Sequence, residues 1–187
     1  MRTKLKFYKN NPKLPPPKIN IELISRFGKG DLEELCDATE LAILEGGGFG
    51  WIKPPPRKVL KDYWNGVLII PERDLVIGRL DKTVAGSCQI LMPSKNNEAQ
   101  KHICNLTTFF LAPWARGYGI SPKLIEYAEN YVLEKGFKVI TLDVRETQLR
   151  AIEIYKKNGY KCFGSIDYYA NVNGEYIKGL FFYKNIS

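Results

Sequence analysis

The run from Pro113 to Pro122, which reads PWARGYGISP, combines a cation with two closely spaced glycines. It lies between a β-like segment (residues 106–111) and an amphipathic helical pattern. A glycine-rich loop between a strand and a helix directs several backbone N–H groups at one spot, beside the positive end of the helix dipole. Gly117 and Gly119 allow close approach of an anion, and Arg116 adds a planar cation. The pattern predicts a phosphate-binding loop.

Two well-known phosphate loops do not match this run. The Walker loop requires Gly-Lys-Ser/Thr, whereas the chain has Gly119-Ile120-Ser121. The dinucleotide fingerprint requires three glycines early in a βαβ unit, and only two are present here, more than halfway along the chain. Because short glycine motifs are weak, an ordinary strand–loop–helix turn stays open for this loop taken alone.

A second pattern follows about thirty residues downstream. Residues 138–144 read as a buried strand, and in the segment after it Gln148, Ala151, Ile152 and Tyr155 fall on one face of a predicted helix. Asn158-Gly159 then provides a helix stop. The chain therefore carries two motifs of the strand-to-helix type, in a fixed order.

Together the two motifs resemble the acetyl-CoA site of the GNAT (Gcn5-related N-acetyltransferase) superfamily. The first resembles its Arg/Gln-x-x-Gly-x-Gly/Ala loop, with Ser121 where the family prefers Gly or Ala. The second resembles its Ala-Ile-x-x-Tyr helix, with Gln148 where the family usually has Asn. The resemblance covers residues 19–185. It implies the mixed α/β GNAT fold: a mostly antiparallel sheet of about seven strands, about four helices, and a splayed parallel pair at the acetyl-CoA site.

The resemblance also implies which residues bind acetyl-CoA. The loop would bind its pyrophosphate, while free backbone groups of the preceding strand would pair with the pantetheine arm and polarise the acetyl carbonyl. No metal is expected. The cofactor-binding residues expected on this basis are Phe109, Phe110, Leu111, Arg116, Gly117, Tyr118, Gly119, Ile120, Ser121, Gln148 and Tyr155.

Tyr155 matches the family tyrosine that protonates the CoA sulfur, and its ordinary pKa of about 10 would keep it protonated at neutral pH; packing on the sheet is the alternative role. The general base is open. His102, the one histidine of the chain, is the second catalytic candidate, and a structural role is its alternative. The position of the family glutamate falls near Asn105, which cannot serve as a base. Other candidates are a water chain and the carboxylates of Glu45, Glu98 and Glu146.

Six aromatic residues are predicted around the acceptor side: Trp51, Tyr63, Trp64, Tyr168, Tyr169 and Tyr176. They fit either a hydrophobic core and dimer surface or an aromatic-walled pocket that holds an amine by cation–π attraction. The residue pattern does not name the acceptor, and it leaves a homodimer open.

The chain has 187 residues and a net charge of +8. We expect a basic, proline-rich leader at residues 1–18 and a single domain at residues 19–187. The charge fits solubility or attraction of anions such as CoA; nucleic acid is disfavoured because the lysines beyond the leader are interspersed with acidic residues. There is no apolar run long enough to span a membrane, and four dispersed cysteines fit reduced thiols in a cytoplasmic protein.

The elements are predicted in the order strand, two helices (residues 31–44 and 57–64), three strands (the third at residues 102–111), helix, strand, helix, two strands. The leading hypothesis is an enzyme, an N-acetyltransferase that moves an acetyl group from acetyl-CoA to a primary amine by direct transfer in a ternary complex. The alternative is a CoA-binding sensor or interaction module without turnover. A nucleic-acid-associated protein that uses the basic leader is a third, weaker hypothesis.

Overall fold

The computed structural model describes residues 15–47 and 49–186. Within these residues the chain forms seven strands and four helices in the predicted order. The strands are β1 Ile19–Ile24, β2 Arg73–Leu80, β3 Thr83–Leu91, β4 Ile103–Leu111, β5 Val139–Arg145, β6 Lys161–Val172 and β7 Glu175–Asn185. The helices are α1 Asp31–Leu44, α2 Arg57–Ile69, α3 Ile120–Glu134 and α4 Leu149–Lys157. This arrangement confirms the mixed α/β fold expected from the sequence.

The strands form one sheet in the order β1-β2-β3-β4-β5-β7-β6. Every neighbouring pair is antiparallel except β4 and β5, which run parallel. The register of β4 and β5 extends over three residue pairs and ends at Asn105 and Thr141. There the amide of Asn105 donates to the backbone oxygen and the hydroxyl of Thr141, at 3.2 and 3.1 Å. Beyond this point the two strands separate, which confirms the predicted splayed pair.

The helices cover the two faces of the sheet. Neighbouring residues of β2 belong to different core clusters: Val76 packs with residues of α3 and α4, whereas Leu75 and Ile77 pack with residues of α1 and α2. Because successive strand residues point to opposite faces, the two clusters lie on opposite sides of the sheet. The splayed end of β4 and β5 lies between them.

Helix α2 is longer than the sequence pattern indicates. The prediction ended it at Trp64, but it continues to Ile69. Leu60, Trp64 and Val67 are each at most 1% exposed. Their spacing of four and three residues places them on one helical face, so burial of Val67 extends the helix through Asn65-Gly66.

Most of the predicted leader, residues 1–14, lies outside the described residues. Lys18 is held at the turn between β2 and β3: its backbone N–H donates to the Asp81 carboxylate at 3.0 Å, and its carbonyl accepts the Asp81 N–H at 2.6 Å. Over residues 15–47 and 49–186, no helix combines the length and apolar composition that crossing a membrane requires.

Candidate active site

A bulge interrupts β4 shortly before the glycine loop. The register with β3 shifts by one residue between Ser87 and Gln89. Thr108 has φ = 49°, a left-handed conformation that a β-branched residue rarely adopts. Neither Thr108 nor Phe109 has a partner in the registers of β3 and β5. The bulge therefore leaves backbone groups of β4 available to a ligand at the point where the sheet opens.

The glycine loop has the conformation that its sequence predicts. Gly117 and Gly119 have φ values of 86° and 84°, which residues with a side chain adopt only with strain. Open space surrounds both positions: a Cβ built there would meet no other group within 4 Å. Helix α3 begins at Ile120 without a side-chain cap. Its first amide groups therefore lack an intrahelical acceptor and can bind an anion.

A cavity of about 610 Å³, which we call the loop cavity, lies beside this loop. It brings together nearly all the residues expected to bind acetyl-CoA: Phe109, Phe110, Leu111, Arg116, Gly117, Gly119, Ile120, Ser121 and Gln148. Two expected residues do not line it. The side chain of Tyr118 packs against the core, and Tyr155 lines a neighbouring cavity.

The polar side chains of the loop cavity bind the segment that follows α1. Arg116 donates to the Glu45 carboxylate at 2.6 Å and to the Leu111 carbonyl at 3.4 Å. The Gln148 amide donates to the Gly46 carbonyl at 2.7 Å. The sequence pattern did not reveal these contacts, since Arg116 and Glu45 lie 71 positions apart. Glu45 thus holds the guanidinium that an incoming phosphate would need.

A second cavity of about 430 Å³, the strand cavity, opens between the separated ends of β4 and β5. Its polar side chains include Asp143, Arg145 and Tyr169, and Tyr155 also lines it. Phe109, Gln148 and Ala151 line both cavities. The two cavities therefore meet at the opening in the sheet.

Tyr155 is 4% exposed, and its ring contacts that of Phe109 with centroids 5.8 Å apart. Burial, with smaller contributions from Cys88 and Asp143, raises the pKa of Tyr155 well above its ordinary value. A buried phenol of this kind stays protonated and can donate a proton but not accept one. In the described part of the chain its hydroxyl has no side-chain hydrogen-bond partner.

Asp143, which the sequence analysis did not single out, is the carboxylate of the strand cavity. The Tyr169 hydroxyl donates to Asp143 Oδ2. Burial and this hydrogen bond raise the pKa of Tyr169 to about 12. The sequence does contain a signal for this residue: Asp143 is an acidic residue within the otherwise mostly apolar run 139–144. A carboxylate on such a strand needs a polar partner or solvent.

The structure does not bring His102 to this site. His102 lies in an exposed turn before β4 rather than on the strand, and its carbonyl accepts the N–H groups of Lys138 and Val139. Six extended residues, about 20 Å, separate it from Thr108. The expected catalytic pairing of His102 with Tyr155 therefore has no support in the geometry.

Of the three alternative carboxylates, one lines a cavity. Glu98 lies in an exposed 3₁₀ turn, and Glu146 is exposed and accepts the backbone N–H of Lys178 at 3.4 Å. Glu45 lines the loop cavity, but it is paired with Arg116. The strand cavity, which Tyr155 lines, is lined by one carboxylate among the described residues, that of Asp143.

Five of the six aromatic residues predicted around the acceptor side line neither the loop cavity nor the strand cavity. Trp64 is fully buried, and Tyr168 and Tyr176 are 76% and 62% exposed and contact each other. Trp51 and Tyr63 form an edge contact with centroids 5.1 Å apart. Tyr169 does line the strand cavity, together with the rings of Phe49, Phe109 and Tyr155.

Comparison with known proteins agrees with this geometry. The sequence profile of the Acetyltransferase (GNAT) family matches residues 38–160. An uncharacterised N-acetyltransferase from the hisH–hisA intergenic region of Azospirillum brasilense is 50% identical over 132 residues, which cover 71% of this chain and 79% of the relative.

Solved structures show the same fold. An N-acetyltransferase from Staphylococcus aureus Mu50 superposes with a TM-score of 0.77 at 15% identity and covers 91% of this chain and 99% of its own. A GNAT superfamily phosphinothricin acetyltransferase from Sinorhizobium meliloti, in complex with acetyl-CoA, superposes with a TM-score of 0.73 at 15% identity. The match covers 92% of this chain and 90% of that structure.

A seven-stranded sheet that opens between two parallel strands, beside a glycine loop at a helix start, defines a GNAT-type acyltransferase fold. The chain belongs to the GNAT acetyltransferase family.

Proposed function

We propose that this protein transfers an acetyl group from acetyl-CoA directly to a primary amine within a ternary complex. The observation that carries the proposal is the meeting of the loop cavity and the strand cavity, which share Phe109, Gln148 and Ala151. A donor in one cavity and an acceptor in the other would have their reacting atoms at a common opening. Such positioning supplies much of the rate of a two-substrate transfer.

The residues of the loop cavity fit acetyl-CoA. The left-handed glycines and the first amides of α3 offer donors in open space, and Arg116 offers a cation for the pyrophosphate. Acetyl-CoA, when bound, supplies the thioester. The unpaired backbone around Thr108 and Phe109 is suited to polarise the acetyl carbonyl.

Residues of the strand cavity can account for the proton transfers that the reaction requires. A nitrogen–carbon bond forms as the carbon–sulfur bond breaks. The ammonium form of the amine gives up two protons in all: the sulfur gains one and leaves as a thiol, and the other passes to solvent. Tyr155, which lines the strand cavity, would give a proton to the sulfur and be reprotonated from solvent. Asp143 and solvent are the acceptors on the side of the amine.

Direct transfer is favoured over an acyl-cysteine route. Burial raises the pKa values of Cys88 and Cys104 to about 12, so their thiolates are scarce at neutral pH. None of the four cysteines, Cys36, Cys88, Cys104 and Cys162, lines the loop cavity or the strand cavity. The donor and acceptor would therefore have to be present together.

The proposal is tested by calorimetric titration with acetyl-CoA. Arg116→Glu should weaken binding at least about tenfold, because it replaces a charge-assisted contact to phosphate with repulsion. Glu45→Gln is the matched control: it removes the carboxylate that holds Arg116 and should leave binding as tight as in the wild type or tighter.

An absence of acetyl-CoA binding by the wild-type protein would contradict the proposal. Binding without acetylation of any amine would point instead to a CoA-binding sensor. Equal affinities of wild type and Arg116→Glu would show that the loop cavity is not the pyrophosphate site.

A further inference from the structure

We propose that the acceptor is a small zwitterion, a primary amine that also carries a carboxylate, with its ammonium group at Asp143 and its carboxylate at Arg145. The inference rests on the proposed transferase function and names the substrate class of the same site. The observation behind it is that one anionic and one cationic side chain line the strand cavity without pairing with each other.

Asp143 and Arg145 occupy alternate positions of β5, so their side chains project from the same face of the strand, with their Cα atoms about 7 Å apart. Both line the strand cavity. Among residues 15–47 and 49–186, neither forms an ion pair with the other or with another side chain. A cavity that displays one anion and one cation is complementary to a ligand with both charges.

One hydrogen bond fixes the side chain of Arg145 and leaves its other N–H groups available to a ligand. Its Nη2 donates to the Phe49 carbonyl, on the segment that follows α1. A guanidinium has five N–H donors in a planar fork, so the remaining ones can receive a carboxylate in the bidentate manner that arginine favours. The contact with Phe49 fixes the position of the fork before a ligand arrives.

Three features of the sheet combine to hold Asp143. The register of β6 with β7 shifts between Ile166 and Ala170, next to Tyr169. The Tyr169 ring lies over Gly179 of β7, where an added Cβ would overlap with it. The Tyr169 hydroxyl thereby crosses β7 and reaches Asp143 on β5. This one hydrogen bond therefore depends on the bulge in β6, on the lack of a side chain at Gly179 and on the length of the Tyr169 side chain.

Other amine classes match this pair of charges less well. A polyamine or an amino sugar would place additional cations beside Arg145, which is unfavourable. The amino terminus of a peptide carries an amide where a free amino acid carries its carboxylate. A volume of about 430 Å³ is within the range of small-molecule sites.

The test compares each amino acid with the amine that lacks only its carboxylate. The twenty common amino acids are assayed with acetyl-CoA, each beside its decarboxylated amine; ethylamine, isoamylamine, phenethylamine and cadaverine, for example, are the counterparts of alanine, leucine, phenylalanine and lysine. We expect the best amino acid to exceed its counterpart in kcat/KM by at least about tenfold, as for a charge-assisted contact.

Variants of Arg145 and Asp143 then test which group of the acceptor each residue binds. Arg145→Gln should lower kcat/KM for the amino acid about tenfold or more and should lower that for the matched amine much less. Asp143→Asn should lower both, chiefly through KM. Gly179→Ala, which displaces the positioning residue Tyr169, should shift KM in the same direction as Asp143→Asn. Lys161→Gln, an exposed β6 cation outside both cavities, is the control and should change neither.

Equal use of amino acids and matched amines, or an equal loss for both with Arg145→Gln, would overturn the zwitterion assignment and leave the transferase proposal intact. Acetylation of neither member of any pair, in a protein that binds acetyl-CoA, would also overturn the zwitterion assignment, whereas the transferase proposal fails only if no primary amine of any class is acetylated.

Discussion

At the scale of single residues, Tyr155 is the group in the strand cavity whose acidity the fold changes most. Tyr155 lines the strand cavity, and its ring packs against those of Phe109, Tyr160 and Phe182. Because burial disfavours the phenolate, the pKa of Tyr155 is raised and the hydroxyl remains protonated. The residue is therefore suited to donate a proton to a departing sulfur at neutral and moderately alkaline pH.

Tyr155→Phe should lower kcat about a hundredfold while leaving the affinity for acetyl-CoA unchanged, since phenylalanine keeps the ring contacts and loses only the acid. Steady-state kinetics and calorimetry check the two parts. In the wild type, the raised pKa of Tyr155 means that kcat should not fall between pH 8 and about pH 10 through loss of this proton. An unchanged kcat in the variant would remove Tyr155 from the mechanism.

At the scale of elements, the start of α1 is fixed to the first two strands by two ion pairs that share Arg79. Arg79 of β2 donates through Nη1 and Nη2 to the two oxygens of Asp31, at 2.8 and 2.9 Å, and through Nε to Glu22 of β1, at 2.6 Å. Asp31 also accepts the Gly28 N–H at 2.8 Å. The hydrogen bonds from Arg79 hold the pKa of Asp31 below its usual value, even though burial opposes this.

Asp31→Asn should lower the free energy of unfolding at pH 7 by about 2 kcal/mol, the size of a buried hydrogen-bonded charge contact. Because the pKa of Asp31 is lowered in the folded state, this contribution is complete above about pH 4 and is lost as the pH falls through that lowered pKa. Urea unfolding of wild type and variant at several pH values measures the difference.

Asp62→Asn provides the matched control, because Asp62 forms an exposed pair with Lys58 one helical turn away and should matter much less. A loss of stability as large in Asp62→Asn, or a difference for Asp31→Asn that does not shrink as the pH is lowered, would contradict this account of the contact.

The sequence predicted the boundaries of α1 well but not what holds the helix in place. An acidic first turn after glycine and a periodic apolar face indicate Asp31–Leu44, as observed. The partner Arg79 is 48 positions away, and no local pattern reveals it. The candidate active site shows the same division between local features, which the sequence predicts, and long-range contacts, which it does not. The glycine loop was predictable from local chemistry, whereas the contact of Tyr169 with Asp143 depends on a bulge in β6 and on Gly179 in β7.

At the scale of the whole molecule, the sheet is two halves joined along β4 and β5 by three register pairs. The opening beyond them is where the proposed acetyl-CoA site lies, so a ligand there would contact both halves. The net charge of +8 favours polyanions in general, but the specific contacts are confined to the loop cavity.

Acetyl-CoA at about 100 times its Kd should stabilise the folded protein by about 2.7 kcal/mol and raise Tm by roughly 5–10 °C for a domain of this size. Thermal unfolding with and without ligand measures the shift. Arg116→Glu at the same ligand concentration should show a much smaller shift. A full shift in that variant would place the ligand elsewhere.

The residues that the two cavities share also set a relation between the two substrates. Phe109, Gln148 and Ala151 border the space in which the acyl group would end and the amine would begin. Each methylene added to the acyl chain would therefore occupy room on the side of the amine. Tolerance for longer donors and tolerance for bulky acceptors are then one property of the opening, and widening it for one substrate would loosen the fit of the other.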